Sequence, residues 1–78
     1  MITARQIRAA RALLGWTRQE LADRAIISLN ALARLEGGRV DARTSTVSAV
    51  ERTLSKAGVE FIPAGEKGEG VRLMHPDR

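Results

Sequence analysis

The 78-residue sequence contains no cysteine, no tyrosine and a single histidine, His75. Without cysteine the chain cannot form disulfide bonds or thiolate metal sites, and one histidine leaves no second imidazole for a zinc site. A lone histidine in a C-terminal tail also lacks the partners that a hydrolytic triad requires. We therefore expect no enzyme activity, no metal and no cofactor.

Long apolar runs are also missing. The longest is a few residues, against the roughly 20 that a membrane-spanning helix needs, and the residues after Met1 lack the apolar core of a secretory signal. These absences predict a cytoplasmic protein that does not bind membranes. A chain this short buries only about 60% of its unfolded surface. Its stability must therefore come from close packing or from oligomerisation.

Positive charge is concentrated in the first part of the chain. There are 13 Lys and Arg against 9 Asp and Glu, a net charge of +4, and 11 of the basic residues are arginine. Residues 1–43 hold eight arginines and four acidic residues, whereas residues 44–78 are balanced. The planar guanidinium suits phosphate and base edges, which makes a polyanion a natural partner. GC-rich coding also enriches arginine, so charge alone does not decide between the two explanations.

The first 38 residues carry the start and stop signals of three short helices. Capping residues stand at Thr3, Thr17 and Ser28, and glycine stops stand at Gly15 and at positions 37–38. The first two capping residues have a glutamine or glutamate three residues later, which is capping-box spacing. Apolar residues recur three and four apart between these signals, which predicts helices over about 4–14, 17–25 and 29–36. The short turn between the second and third helices forces a steep crossing, as in a helix-turn-helix.

The rest of the chain predicts a fourth helix and two strands. One of the hydroxyl residues 44–46 can cap this helix, and Gly58 ends it. Beyond Gly58 the hydrophobic period changes from 3.6 to 2, which predicts strands over Val59–Ile62 and Val71–Met74 around a glycine-rich loop. Two strands alone are marginal in water, so this pair must pack on the helices or pair with another chain.

The stretch Trp-Thr-Arg-Gln-Glu-Leu-Ala-Asp-Arg-Ala at positions 16–25 is followed by Ser28, Leu32, Leu35-Glu36 and Gly38-Arg39. In this register the chain resembles the Cro/C1-type (XRE) helix-turn-helix family of phage and bacterial transcriptional regulators, over roughly residues 3–57. The resemblance implies a mainly α fold, a compact helix bundle of the lambda-repressor-like DNA-binding type with a short C-terminal β-strand pair. It also implies that a recognition helix, about 28–36, enters the major groove of double-stranded DNA.

The resemblance assigns roles to individual residues. It implies base contacts for Leu29, Asn30 and Arg34. It implies phosphate contacts for Arg18, Ser28, Arg39 and Arg43, and a structural ion pair between Arg11 and Glu36. These three side chains suit base contacts, because arginine can bond guanine, asparagine can bond adenine, and leucine can contact a thymine methyl group.

Ile26 departs from the family pattern, which commonly has glycine in the turn between the second and third helices. A β-branched residue is costly at positive φ. The turn in this chain must therefore either have another geometry or be strained.

Together these features predict a sequence-specific transcriptional regulator that acts on DNA at the nucleoid as a dimer, on an inverted-repeat operator. Residues 1–58 would form the helix-turn-helix DNA-binding domain, and residues 59–78 the strand pair, the tail and the dimerisation element. The chain leaves no room for a domain that senses a small molecule. The alternative is a protein-interaction module of the same fold, such as an antitoxin or antiactivator, which exposed Ile26 and Leu29 would favour.

Overall fold

A computed structural model describes residues 1–38 and 43–74. These residues form helices α1 (Ala4–Leu14), α2 (Arg18–Ala25), α3 (Leu29–Glu36) and α4 (Thr44–Lys56), followed by strands β1 (Val59–Ile62) and β2 (Gly70–Leu73). The predicted fold class, mainly helical with a short strand pair, is confirmed. No helix within these residues is both long and apolar enough to cross a membrane.

The helix ends follow the local signals in the sequence. Thr3 and Thr17 both form complete capping boxes: each hydroxyl accepts from the backbone amide three residues later, and that residue's side chain accepts from the threonine amide. Gly15 ends α1 in the left-handed conformation, with φ of 69°, which glycine adopts without the steric cost that a Cβ brings. Short helices with such caps leave few backbone groups unpaired at their ends.

The predicted cap of α4 is wrong. The N-cap is Arg43, whose side chain makes no capping hydrogen bond. The backbone closes the first turn instead, since the amides of Thr46 and Val47 both donate to the Arg43 carbonyl at 3.1 Å. The hydroxyl run that begins at Thr44 therefore lies inside the helix and not at its cap.

The core joins all four helices to β1. Its buried hydrophobic residues are Ile7, Ala10, Leu21, Ala22, Ala25, Leu32, Leu35, Val47, Val50, Leu54 and Val59. They recur three and four apart on each helix, so each helix turns one apolar stripe inward. Trp16, which lies just before the α2 cap, packs against this cluster from its edge.

The two strands form an antiparallel hairpin, in which Val59 pairs with Leu73 and Ile62 with Gly70. The second strand therefore starts and ends one residue earlier than predicted. Strand β2 packs against α1 and β1 against α4. The buried Gln6 amide of α1 donates to the carbonyls of Ile62 and Gly70, both at 2.9 Å. The hairpin is thus fixed to the helices by polar bonds as well as by packing.

Candidate nucleic-acid interface

Helices α2 and α3 are joined by a turn that keeps the left-handed geometry of a glycine turn without the glycine. Ile26 has φ of 57° and ψ of 51°, and it is the one non-glycine residue with positive φ in the described chain. The next amide, of Ile27, donates to the Ala22 carbonyl at 3.0 Å and so closes the end of α2. Of the two alternatives, the turn is therefore strained, at a cost of about 1–2 kcal/mol for a side chain in this region.

Helix α3 begins at its predicted cap. The Ser28 hydroxyl accepts a hydrogen bond from the Ala31 amide at 3.0 Å. Leu32 and Leu35 lie in the core, so the opposite face of the helix, with Asn30 and Arg34, is exposed. Because positions four apart lie one above the other on a helix, these two polar side chains form one row along the exposed face.

An open groove runs beside this exposed face. It is lined by Ser28, Asn30, Ala31, Ala33, Arg34, Arg43 and Thr46. The last two come from the start of α4, so the groove has α3 on one side and the cationic N-terminal end of α4 on the other. The structure thereby brings four of the predicted contact residues to one concave surface. The other three lining residues, Ala31, Ala33 and Thr46, were not predicted, although Thr46 lies one turn after Arg43 and so shares its helix face.

The other predicted contact residues lie elsewhere. Leu29 is 44% exposed at the first position of α3 and does not line this groove. Arg18 is the first residue of α2. Arg39 lies outside the described residues, so its predicted phosphate contact has no structural account.

The end of α3 is held by a buried carboxylate. Glu36 has a side chain only 1% exposed, and its two oxygens accept from the Arg11 Nε and Nη2 at 2.8 and 3.1 Å. The predicted ion pair therefore exists, in a bidentate form that fixes geometry as well as charge. The sequence did not predict that Arg8 donates to the backbone carbonyl of the same residue. Helix α1 thus holds the C-terminal end of α3 through two arginines.

Arg18 also belongs to this cluster. Its Nε donates to a Glu36 carboxylate oxygen at 3.0 Å, while its side chain remains 54% exposed. One edge of the guanidinium is therefore held from inside the protein, and the side chain still reaches solvent at the N-terminus of α2. That end of the helix carries a partial positive charge that favours anions.

Glu20 is the acidic residue in the first turn of α2, and the cap fixes it in place. Hydrogen bonds from the Thr17 backbone amide, and next from the Thr17 hydroxyl, hold the pKa of Glu20 below its ordinary value. The carboxylate is thus committed to the cap.

Comparison with protein families agrees with this geometry. The helix-turn-helix family model matches residues 7–61, from α1 into β1. The chain belongs to the Cro/C1-type helix-turn-helix family. It is therefore a DNA-binding helix-turn-helix regulator. Neither a curated protein nor a solved structure matches the chain.

Proposed function

We propose that this helix-turn-helix protein is a sequence-specific transcriptional regulator that inserts α3 into the major groove of its operator. The observation that carries the proposal is the groove beside α3, where the exposed row of Asn30 and Arg34 faces the cationic start of α4 at Arg43. A helix that exposes a polar face can place it against the base edges in the major groove. Cations beside the helix can then contact the phosphates of the DNA backbone.

The contact residues divide into two groups by what they would touch. Leu29, Asn30 and Arg34 read bases, with Arg34 suited to the O6 and N7 acceptors of guanine. The phosphate contacts are Arg18, Ser28, Arg39 and Arg43. Phosphate contacts fix register and base contacts fix sequence, so the two groups should respond differently to mutation.

The test compares Arg34→Ala with Arg43→Ala on a site selected from a random DNA pool. Arg34→Ala should cost about 1–3 kcal/mol on that site and relax its sequence preference, whereas Arg43→Ala should weaken all duplexes alike and reduce the salt dependence of binding. Arg18→Ala should also act on all sites, but Arg18 bonds Glu36, so Arg43 is the cleaner phosphate variant. Fluorescence anisotropy at several salt concentrations gives both quantities. Equal losses on selected and random DNA for Arg34→Ala would contradict its assignment.

The proposal includes a homodimer on an inverted-repeat operator, with residues 59–78 as its dimerisation element. A single module of this size covers only one half-site, and specific binding by such modules normally uses two half-sites about one helical turn apart. Each strand of the hairpin has the other as its neighbour in the described residues. Each strand therefore has a second edge that another chain could extend. Met74, 49% exposed just beyond β2, supplies apolar surface there.

Sedimentation equilibrium of the intact chain tests the dimer. We expect a reversible dimer, and we expect Met74→Glu to raise its dissociation constant at least about tenfold, because a charge would then be desolvated at the interface. Footprinting should show two protected half-sites. A chain that is monomeric at all concentrations, and that protects one half-site, would contradict the dimer but leave DNA reading by α3 intact.

The same proposal places the protein on DNA in the cytoplasm, without a small-molecule effector. The competing function, a protein-interaction module of this fold, has one observation in its favour, since Ile26 is 89% exposed and Leu29 is 44% exposed. A salt titration separates the two functions. Binding through phosphate contacts falls steeply with salt, with a slope set by the number of contacts.

A further inference from the structure

A second groove lies between the end of α2 and the second half of α4. Its volume is about 520 Å3 and its walls include Trp16, Ile26 and Ala49. A groove of this size lies in the range of roughly 300–1,000 Å3 that binding sites occupy. Within the described chain it shares no lining residue with the groove beside α3. An occupant here would leave the α3 face open.

The walls of this α2–α4 groove present apolar surface. Trp16 is half-buried, with the guanidinium of Arg24 lying 4.4 Å from its ring centroid. Ile26 forms part of the wall at 89% exposure. Its side chain buries little surface within the protein, while its backbone bears the strain of the left-handed conformation. The left-handed conformation itself serves the turn between α2 and α3. An isoleucine side chain adds strain there without burying surface in return, which points to a role for this side chain outside the fold.

The groove is also positively charged. Arg24, Arg52 and Lys56 line it, and no carboxylate does so among the described residues. Two of these cations lie in the last turns of α2 and α4, where they also offset the negative ends of the helix dipoles. Arg52 lies a turn earlier and has no such role. Compensation of the helix dipoles therefore does not account for all three cations in the groove.

The neighbouring acidic residues do not line this groove, and each has contacts in another part of the protein. The Asp23 carboxylate accepts from Gln19 at 2.9 Å. Glu51 lines a different groove, beside Met1 and Phe61. Glu20, one turn before Arg24, accepts from the Thr17 amide, and its charge also interacts with Arg24. Arg24 is thus partly compensated within the chain, and the charges of Arg52 and Lys56 remain for a partner to complement.

We propose that the α2–α4 groove docks an acidic segment of a second protein, one that places carboxylates around at least one large apolar side chain. Charge complementarity selects the carboxylates, and the wall formed by Trp16, Ile26 and Ala49 selects the apolar anchor. An amphipathic helix with anchors three and four residues apart has this pattern. A nucleic-acid backbone would match the cations but offers no aliphatic group to cover Ile26. The protein therefore binds DNA through α3 and an acidic protein segment through a separate groove.

Selection from a displayed library of random peptides of about 16 residues tests the proposal. The sequence has a single tryptophan, and it lies in the groove, so the fluorescence of Trp16 reports binding of each selected peptide. We expect the selected peptides to be rich in Asp and Glu around Leu, Ile or Phe. They should bind equally well to the free protein and to protein saturated with its selected DNA site.

Three variants locate the binding. Arg52→Glu should weaken the selected peptides at least about tenfold by replacing attraction with repulsion. Lys67→Glu, the same charge reversal in the exposed hairpin loop, should change affinity less than about twofold and is the matched control. Ile26→Gly removes the most exposed side chain of the apolar wall and relieves the strained turn. It should therefore weaken peptide binding several-fold while circular dichroism shows an intact fold.

Several outcomes would overturn the proposal. A selection that yields no binders, or binders without acidic residues, would contradict the proposed charge complementarity between the groove and its partner. Equal weakening by Arg52→Glu and Lys67→Glu places binding elsewhere. Displacement of the peptides by a random DNA duplex assigns the groove to nucleic acid. A concentration-dependent Trp16 signal without peptide, abolished by Ile26→Gly, assigns it to a second copy of this chain.

Discussion

Helix α1 is held at both ends by carboxylates, and the two contacts differ in burial. At the end that contacts α3, the Glu36 side chain is 1% exposed and pairs with Arg11 at 2.8 Å. At the hairpin end, Glu69 is 20% exposed and pairs with an Arg5 that is 73% exposed, at 2.9 Å. The distances are almost equal. Because the two contacts differ in burial and not in bond length, we expect burial to decide how much stability is lost when one partner is removed.

Helix α1 therefore holds α3 and the hairpin through different kinds of contact. Helix α3 depends on the buried carboxylate of Glu36, whose loss would leave Arg11 and Arg18 without their carboxylate partner. The hairpin depends more on the neutral amide of Gln6, which is 5% exposed and bonds two strand carbonyls. The element proposed to read DNA is thus anchored by a buried ion pair, whereas the element proposed to form the dimer is anchored by a neutral amide.

The largest expected effect is at the end of α1 that contacts α3. Glu36→Ala should lower the free energy of unfolding by about 3–5 kcal/mol, because it leaves the partly buried charge of Arg11 without its carboxylate and bonded, within the described residues, only to the Trp16 carbonyl. A loss of this size is a large part of the stability of an ordinary domain, about 5–15 kcal/mol. Urea unfolding monitored by circular dichroism measures it. Arg18→Ala, which removes the more exposed partner of the same carboxylate, is the matched variant and should cost less than about 1 kcal/mol. Equal costs would refute the role given to burial.

The next effect is at the hairpin end. Gln6→Ala leaves the carbonyls of Ile62 and Gly70 without their amide donor, so we expect a loss of about 1–3 kcal/mol. Amide hydrogen exchange should show that protection is lost first in β1 and β2. Gln19→Ala, which removes an exposed glutamine bonded to Asp23, is the control and should stay within about 0.5 kcal/mol of the parent. If both variants behave alike, the Gln6 hydrogen bonds do not stabilise the hairpin.

A smaller effect, of opposite sign, is expected at the turn before α3. Ile26→Gly should raise the free energy of unfolding by about 0.5–1 kcal/mol, because relief of the strained conformation exceeds the added entropy of the unfolded glycine. Gly15→Ala makes the converse change at the left-handed end of α1, where a Cβ would meet no atom within 4 Å. It should destabilise by about 1 kcal/mol, since only the backbone conformation opposes it. Thermal unfolding of both variants measures these two changes in stability. If Ile26→Gly is destabilising, the isoleucine side chain stabilises the fold.

The sequence predicted those features that depend on nearby residues. The capping boxes at Thr3 and Thr17 act over three residues, and the helical period alone places Asn30 and Arg34 on one face. The second role of Gln6 was not predictable, because its partners lie 56 and 64 positions away. The same holds for Arg18, whose bond to Glu36 requires α2 and the end of α3 to pack together. Local signals thus give elements and faces, while shared partners emerge only from packing.

The smallest expected effect is the pH dependence of the hairpin end. Hydrogen bonds from Arg5, and next from the Thr3 hydroxyl, hold the pKa of Glu69 below its ordinary value. A depressed pKa in the folded state means that the contact stabilises the protein above the unfolded carboxyl pKa of about 4.3, and that this contribution is lost as pH falls through the folded pKa. Thermal unfolding of the parent and of Glu69→Gln between neutral and acidic pH measures it. The parent should be slightly more stable near neutrality, and the difference should disappear in acid and shrink with added salt. A difference that persists unchanged in acid would mean that the Glu69 charge contributes nothing, and that shape alone holds this end of α1.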